Sequence, residues 1–267
     1  MPLYSATCPL PVNRIKNRLF DPDARAFFAT AGVTDRVAKG QINAFVVGVK
    51  ALGLFNNMAS WPLRSSQNAG TGTTAYSLGG LGTYNGTLSS PSGPTWGASG
   101  ITFDGTNDFL LTGYTGGLSA FSAFSIAKSN SNGGVQYEFS KDDQNVNRDW
   151  GILGDLGGIN QAFLFNPTLR QIGGDTSNLV IRMLCMRVSS SVYKFRKNNG
   201  ADNNGTTGTP TQTSANITIG ARAGGGGLYF NGIVSASILF NTALSDSDTS
   251  SIYTLYKTTL GVGLGLP

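Results

Sequence analysis

From Trp61 onward, the chain consists of short apolar runs separated by turns that are rich in Gly, Asn and Ser. About eleven such runs follow one another with no helical pattern between them, which is typical of antiparallel strands. Examples are GITFDG, DFLLTGY, FSAFSIAKS and LVIRMLCMRVS. Parallel strands would need long crossover connections, usually helices. The pattern therefore predicts a mainly β fold, either an antiparallel sandwich or a barrel.

The composition supports this fold class. Of 267 residues, 37 are Gly and 12% are charged, and Glu138 is the single glutamate. Straight charged side chains favour helices, whereas Gly, Asn and Ser favour turns. The formal net charge of +5 arises from scarce acids, and the bases form no continuous stripe. Nucleic-acid binding needs many phosphate contacts from one face, so we do not expect it.

Helical patterns lie at the two ends of the chain. The stretch DPDARAFFATAG predicts a helix capped by Asp21, and Thr34 is placed to cap a second helix with apolar residues at helical spacing. Near the C terminus, Ser245 begins a capping-box pattern. We therefore divide the chain into residues 1–60, an arm and two helices that serve for anchoring, and residues 61–267, a sandwich closed by the last helix.

The glycines from Gly224 to Gly227 raise the question of a phosphate site. A P-loop needs the pattern GxxxxGK(S/T) before a helix, and a dinucleotide site needs GxGxxG between a strand and a helix. Here the flanking segments ANITIGAR and LYFNGIVSASILF are both strand-like. We therefore predict a hairpin turn between two late strands, where glycine supplies the positive φ values that tight turns require.

Residue types that serve catalysis are scarce in this sequence. Histidine is absent, which removes the commonest general base and excludes a Ser/His/Asp triad. A glycosidase needs two carboxylates that face each other across the scissile bond. Most of the acids lie in turn-like or capping sequences instead. We predict that the protein is not an enzyme; an unusual glycosidase that uses Asp104, Glu138 or Asp149 is the alternative.

Two turns rich in oxygen ligands are candidates for a metal site. Asp104 and Asp108 lie in FDGTND, and Asp143 and Asp149 lie in DQNVNRDWG, where oxygen ligands alternate as in an EF-hand loop. The second match is partial, because Arg148 stands where that loop needs glycine. Asp and Asn side chains also bond their own backbone in turns. We predict no cofactor, with Ca²⁺ as the alternative.

Four residues near predicted loops or strand ends are candidates for glycan binding: Trp150, Arg222, Tyr229 and Asn231. An aromatic ring can stack on a sugar, but buried aromatic side chains also dominate sandwich cores. For Arg222 and Asn231, the alternative is a purely structural role in finishing the fold.

The sequence lacks the patterns of membrane and secreted proteins. No stretch approaches the ~20 apolar residues of a membrane-spanning helix, and residues 1–20 form a basic, proline-containing arm without the apolar core of a secretory signal. The two cysteines, Cys8 and Cys185, fit neither a disulfide framework nor a zinc site. We expect synthesis in a cytoplasm without a signal peptide, and no membrane insertion.

The order of these runs resembles laminin G-like, concanavalin A-like jelly-roll domains. GITFDGTNDFLLT resembles their opening hairpin, and the segment from ITIGAR to the SDSD helix cap is the most specific match. The resemblance covers about Trp61 to Leu260 and implies an antiparallel jelly-roll sandwich. The family includes lectins, adhesion modules and glycosidases, and the Glu-x-Asp-x-x-Glu motif of the glycosidases is absent here. In its calcium-binding members, acidic and Asn residues of the rim loops hold the ion. Asp104 matches only the aspartate of the turn in that pattern.

A helical pair that leads straight into a jelly roll resembles tail, fibre and head-decoration proteins of tailed bacteriophages. This layout implies a non-enzymatic virion structural protein, made in the host cytoplasm and released by lysis. Residues 1–60 would anchor it to other capsid or tail proteins. The protein itself would form a homo-oligomer. The displayed sandwich would decorate the capsid or attach to a host-surface glycan. The alternative is a stand-alone glycan-binding lectin module, with or without a bound calcium ion.

Overall fold

The computed structural model describes residues 20–267 except 90–92, 131–133, 144–146, 157–158, 167, 177–178, 207–211 and 223–224. The helices are α1 (Pro22–Thr30), α2 (Arg36–Ala51) and α3 (Asp246–Thr258), and a 3-10 turn lies at Phe55–Asn57. The strands are β1 (Met58–Pro62), β2 (Thr74–Ala75), β3 (Gly86–Leu88), β4 (Thr95–Trp96), β5 (Ile101–Asp104), β6 (Leu110–Leu111), β7 (Phe121–Ser129), β8 (Val135–Asp143), β9 (Asn147–Leu156), β10 (Ile159–Asn166), β11 (Thr168–Thr176), β12 (Arg182–Ser189), β13 (Val192–Lys197), β14 (Asp202–Asn204), β15 (Thr218–Ile219) and β16 (Asn231–Phe240).

The strands form two antiparallel sheets of eight strands each, which confirms the predicted sandwich. Sheet A has the order β14-β13-β12-β7-β16-β5-β4, and β1 also pairs with β16. Sheet B has the order β11-β10-β9-β8-β15-β6-β3-β2. The apolar run LVIRMLCMRVS supplies β12, which lies inside sheet A between β13 and β7. A strand with neighbours on both sides and cover on both faces needs such a run.

Aromatic side chains fill the space between the two sheets. Phe121 of β7 lies against Trp150 of β9, with ring centroids 4.9 Å apart, and Phe139 of β8 meets the same indole at 5.3 Å. Trp61 and Phe103 belong to the same buried cluster. Each such side chain contributes about 1.5–3 kcal/mol by leaving water, so this cluster is a principal source of stability.

The helices cover the outer face of sheet A. Phe124 and Ile126 of β7 point away from the other sheet and share a core with α1, α2 and α3. Within this layer, Phe45 of α2 meets Tyr256 of α3 with ring centroids 6.4 Å apart. The central strands β7, β12 and β16 of sheet A are therefore buried on both faces, which explains why FSAFSIAKS is apolar on both sides. The division of the chain at residue 60 stays a prediction.

Helix caps agree with the sequence at two of three positions. The Asp21 carboxylate accepts the backbone N–H of Asp23 at 2.9 Å, and Ser245 Oγ accepts the backbone N–H of Asp248 in α3 at 3.0 Å. For α2, the cap is Asp35 rather than Thr34, because the Asp35 carboxylate reaches the N–H of Ala38 at 2.7 Å. None of the described helices is long and apolar enough to cross a bilayer.

The glycine-rich segment joins two sheets rather than two paired strands. It leads from β15 of sheet B to β16 of sheet A, so the predicted hairpin is wrong. The loop nevertheless folds back on itself: the Arg222 N–H donates to the Gly227 carbonyl at 3.1 Å. Gly220, Gly225 and Gly227 have φ values of 83°, 76° and 103°, which glycine adopts without strain. Gly224 lies outside the described residues.

Candidate functional site

Candidate residues from separate segments meet where β5 ends and β16 begins. Asp104 of β5 is the register partner of Asn231 of β16. The glycine loop, residues 220–230, lies beside the turn after β5, where Gly225 approaches the ring of Phe109 so closely that a side chain would not fit. We call five residues of these segments the rim: Asp104, Asp108, Arg222, Tyr229 and Asn231.

Backbone hydrogen bonds fix the rim to sheet B. The Tyr137 N–H of β8 donates to the Leu228 carbonyl at 3.1 Å. Three positions after Leu228, the Asn231 N–H donates to the side-chain oxygen of Gln136 at 2.9 Å. The loop therefore extends the hydrogen bonding of β8, and the rim residues it carries have fixed positions.

In the turn between β5 and β6, two carboxylates accept hydrogen bonds from the backbone of the turn itself. Asp104 Oδ1 accepts the backbone N–H groups of Thr106 at 2.7 Å and Asn107 at 3.3 Å, and Asp108 Oδ2 accepts the Asp104 N–H at 2.9 Å. Burial raises the pKa of Asp108, and the negative charge of Asp104 adds to this. Asp104 is exposed. The two acids therefore form the ordinary Asx-type turn that the sequence left as an alternative.

The other two metal candidates do not join this turn. Asp149 is fully buried and pairs with Lys141, while the side chain of Asp143 lies outside the described residues. In the part of the chain that the structure describes, no group of three or more His, Cys, Asp or Glu side chains is placed to hold a metal ion. Calcium takes six to eight oxygen ligands, so the described carboxylates do not by themselves fit a calcium site.

The Arg222 side chain is held in place by a buried acid, Asp142. Its Nε donates to Asp142 Oδ2 at 3.1 Å, and the Tyr137 hydroxyl donates to the same oxygen at 3.0 Å. The guanidinium also lies 5.5 Å from the centre of the Tyr137 ring. Burial, followed by the charge of Asp142, raises the pKa of Tyr137. The Arg222 side chain is 14% exposed, so its charge is largely used within the fold.

Tyr229 and Asn231 supply the remaining polar surface of the rim. Both are half-buried, and the Tyr229 hydroxyl donates to the Gly225 carbonyl at 2.6 Å. This bond fixes the phenol at one end and sets the orientation of its ring. Asn231 stands opposite the exposed Asp104 in the register of β16 and β5, and Tyr229 precedes Asn231 by two residues. The rim therefore presents a ring, an amide and an acid.

Trp150 is a core residue, which corrects its prediction as a glycan contact. Its side chain is 0% exposed and lies between Phe121 and Phe139. A ring enclosed on both faces cannot stack on a sugar at the surface. The apolar run that follows it, GILGDL, is the sequence signal for the core alternative.

The acids considered for a glycosidase also lie inside the fold. Glu138 of β8 is fully buried between the sheets, where it accepts hydrogen bonds from Arg182 and from Ser125 Oγ, the latter at 2.7 Å. Asn160 Oδ1 accepts two further bonds from the same guanidinium, at 3.2 and 3.0 Å. Neither Glu138 nor Asp149 reaches the surface, so neither is placed to meet a polysaccharide.

A second charged cluster, missed by the sequence interpretation, fastens α3 to sheet A. Asp202 of β14 accepts two bonds from Arg196, at 2.7 and 2.8 Å, and also pairs with Arg187 at 2.5 Å. Asp246 of α3 binds Lys194 at 2.8 Å. Burial acts to raise the pKa of Asp202, but the two arginines outweigh it and hold that pKa well below its usual range.

No protein-family model matches the sequence, and no curated protein is similar to it. Among solved structures, a Trypanosoma rangeli sialidase in complex with sialic acid shows 10% identity over 77% of this chain, with a TM-score of 0.57. Another structure of Trypanosoma rangeli sialidase shows 9% identity over 84% of this chain, with a TM-score of 0.52.

This chain spans 34% and 40% of the length of those two sialidases. A carbohydrate-binding module, the CBM40 of Ruminococcus gnavus IT-sialidase bound to α2,3 sialyllactose, covers 51% of this chain at 13% identity, with a TM-score of 0.43 and 83% of that module matched. At these identities the sialidase matches show the fold alone. They agree with a sandwich of the jelly-roll, concanavalin A-like type.

Proposed function

We propose that the protein is a non-enzymatic glycan-binding module that contacts its sugar through the rim. The observation that carries this proposal is the placement of Asp104 at the end of β5 opposite Asn231 at the start of β16, with Tyr229 two residues before Asn231. A carboxylate and an amide can each bind sugar hydroxyls, and a phenol ring offers an apolar face to the sugar ring. Small-ligand sites commonly combine an aromatic surface with a few fixed polar groups.

The fixed position of the rim also favours binding. Register pairing places Asn231 opposite Asp104, and the hydroxyl bond to Gly225 restrains Tyr229. A site whose groups are already ordered loses less conformational entropy when a ligand binds. The absence of catalysis is part of the proposal, and the burial of Glu138 and Asp149 supports it.

A glycan array tests this proposal. We expect wild-type protein to bind a subset of glycans, and Tyr229→Ala to weaken that binding about tenfold, which corresponds to about 1.4 kcal/mol. Tyr229→Phe keeps the ring and should retain most of the affinity. Asn231→Ala should also weaken binding. Its matched control is Asn203→Ala, on β14 at the far edge of sheet A, which should leave binding unchanged.

Three outcomes of the array bear directly on the proposal. Absence of binding to any glycan, with and without added Ca²⁺, would reject it. Binding that disappears with a chelator would add a calcium ion to the site. Turnover of a polysaccharide would overturn the non-enzymatic assignment in favour of the glycosidase alternative.

We further propose that the module works on the particle of a tailed phage, as a capsid-decoration or tail protein that forms a homo-oligomer. The layout favours this: the helices cover sheet A, and the basic arm precedes them, so residues 1–60 would contact other virion proteins. The rim would then face a host-surface glycan. Incubating protein that lacks residues 1–20 with purified particles tests the anchoring role, since undiminished incorporation would remove it from the arm.

A further inference from the structure

Lys141 and Asp149 form a close contact that the rim does not use. Lys141 Nζ lies 3.0 Å from Asp149 Oδ2, and both side chains are 0% exposed. They belong to the neighbouring strands β8 and β9, where Lys141 is the register partner of Trp150. Trp150 is itself fully buried and packs against Phe139. The amine and the carboxyl group are thus held together where water is excluded.

Thr213 completes the surroundings of the amine. Its carbonyl oxygen accepts a hydrogen bond from Lys141 Nζ, and its Oγ1 lies 3.2 Å from the same nitrogen. On the other side, Asp149 Oδ1 is buried without a hydrogen-bond partner. The nitrogen therefore has acceptors for its protons, while one oxygen of the carboxyl group is free to act as a carbonyl oxygen.

The electrostatic setting weakens the ionic form of the pair. Burial raises the pKa of Asp149 to about 6, against the opposing effect of Lys141. Taking two charges out of water is costly even when they pair. Transfer of one proton from Nζ to Oδ2, across the existing hydrogen bond, gives a neutral amine beside a neutral carboxylic acid. These are the reactants of amide formation.

We propose that Lys141 and Asp149 become joined by an intramolecular amide bond between Nζ and Cγ. After the proton transfer, the Nζ lone pair adds to Cγ, and a second proton passes from Nζ to Oδ2, with Thr213 Oγ1 as the relay. The Cγ–Oδ2 bond then breaks and water leaves. The ammonium and the carboxylate thus yield one secondary amide and one water, and no oxidant, cofactor or other reactant is consumed.

Proximity lowers the barrier to this step. Two groups held in contact by the fold react as if at very high concentration, because their translational freedom is already lost. The bond would link β8 to β9 covalently, and its remaining N–H would continue to donate to the Thr213 carbonyl. Lys194 offers the contrasting case, since it touches Asp246 at 2.8 Å but both side chains are open to solvent.

Intact mass spectrometry of the denatured full-length chain tests the bond. We expect wild-type protein to be lighter than its sequence by the mass of one water, and Lys141→Arg to have its full sequence mass. Lys194→Arg is the matched control and should keep the loss of water. A wild-type mass equal to that of the sequence, compared after the same N-terminal processing, would overturn the proposal.

A tryptic digest of the same wild-type sample gives an answer that does not depend on whether the variant folds. An acylated lysine is not a trypsin site, so the linked protein should yield residues 129–148 joined to residues 149–170. Free residues 129–141 and 149–170 as the main products would show that cleavage occurred after Lys141 and that the pair is only ionic.

Discussion

Loss of the Arg182 guanidinium should be among the most destabilising single changes in this fold. The group donates to Glu138, to Asn160 Oδ1, to the Ala127 carbonyl at 2.6 Å and to the Gly154 carbonyl at 3.2 Å. Arg182→Met removes all of these bonds and leaves a buried carboxylate without its cation. Breaking a buried pair from one side costs about 3–5 kcal/mol.

A second substitution separates the cost of the charge from that of packing. Glu138→Gln added to Arg182→Met removes the unpaired negative charge, and we expect it to restore about 2 kcal/mol, because a buried neutral amide is less costly than a buried ion. Lys50→Met is the control for a surface pair. Lys50 contacts Asp21 at 2.7 Å and is partly exposed, so its loss should cost about 1 kcal/mol or less.

Urea unfolding followed by tryptophan fluorescence measures these free energies, since Trp61 and Trp150 are both fully buried. The reasoning would be refuted if Arg182→Met stayed within about 1 kcal/mol of wild type, a loss expected of an exposed pair. It would also be refuted if the double variant were less stable than Arg182→Met alone.

Three further predictions follow from the helical layer, the charged cluster and the glycine loop. Residues 61–267 expressed alone should aggregate or bind the dye ANS, because the outer face of sheet A loses its cover; a monomeric fragment that binds no dye would instead support the boundary at residue 60. The pKa of Asp202 is lowered from 3.8 in the fold, so its stabilising effect is present above about pH 4 and is lost as the pH falls through the folded-state value. Asp202→Asn should flatten the acid side of a stability–pH curve, and an unchanged acid side would contradict this assignment. Gly220→Ala and Gly227→Ala both strain a positive φ by about 1 kcal/mol, but only the first also places a methyl group against a ring, that of Phe103, so equal losses in urea unfolding would count against the packing argument.

Features governed by neighbouring residues could be predicted from the sequence. Asp21 and Ser245 act as helix caps because a cap needs only a short side chain and the next few N–H groups. The cap of α2 is also a local feature, but Thr34 and Asp35 are adjacent and both residue types can cap a helix. The sequence alone therefore did not identify Asp35 as the cap. The mainly β class followed from the alternation of apolar runs and turns, which is a property of the whole sequence rather than of any one contact.

Features that depend on distant partners could not be predicted in the same way. Trp150 is placed by aromatic rings on two other strands, and the Glu138–Arg182 pair joins two different sheets. The glycine loop looked like a hairpin because its local backbone is that of a turn. Only the sheet assignment of β15 and β16 shows that the chain changes sheets there. Pattern analysis of single segments carries no information about such pairings.

The position of β16 sets a condition on how the chain acquires its fold. This strand, Asn231–Phe240, pairs with β1, β5 and β7, which precede it by more than a hundred residues in sequence. During synthesis, β1 and β5 therefore emerge long before the strand that joins them to the rest of sheet A. Contacts between such distant segments form slowly and leave strand edges open in the meantime. The ribosome must thus deliver nearly the whole chain before this sheet can close.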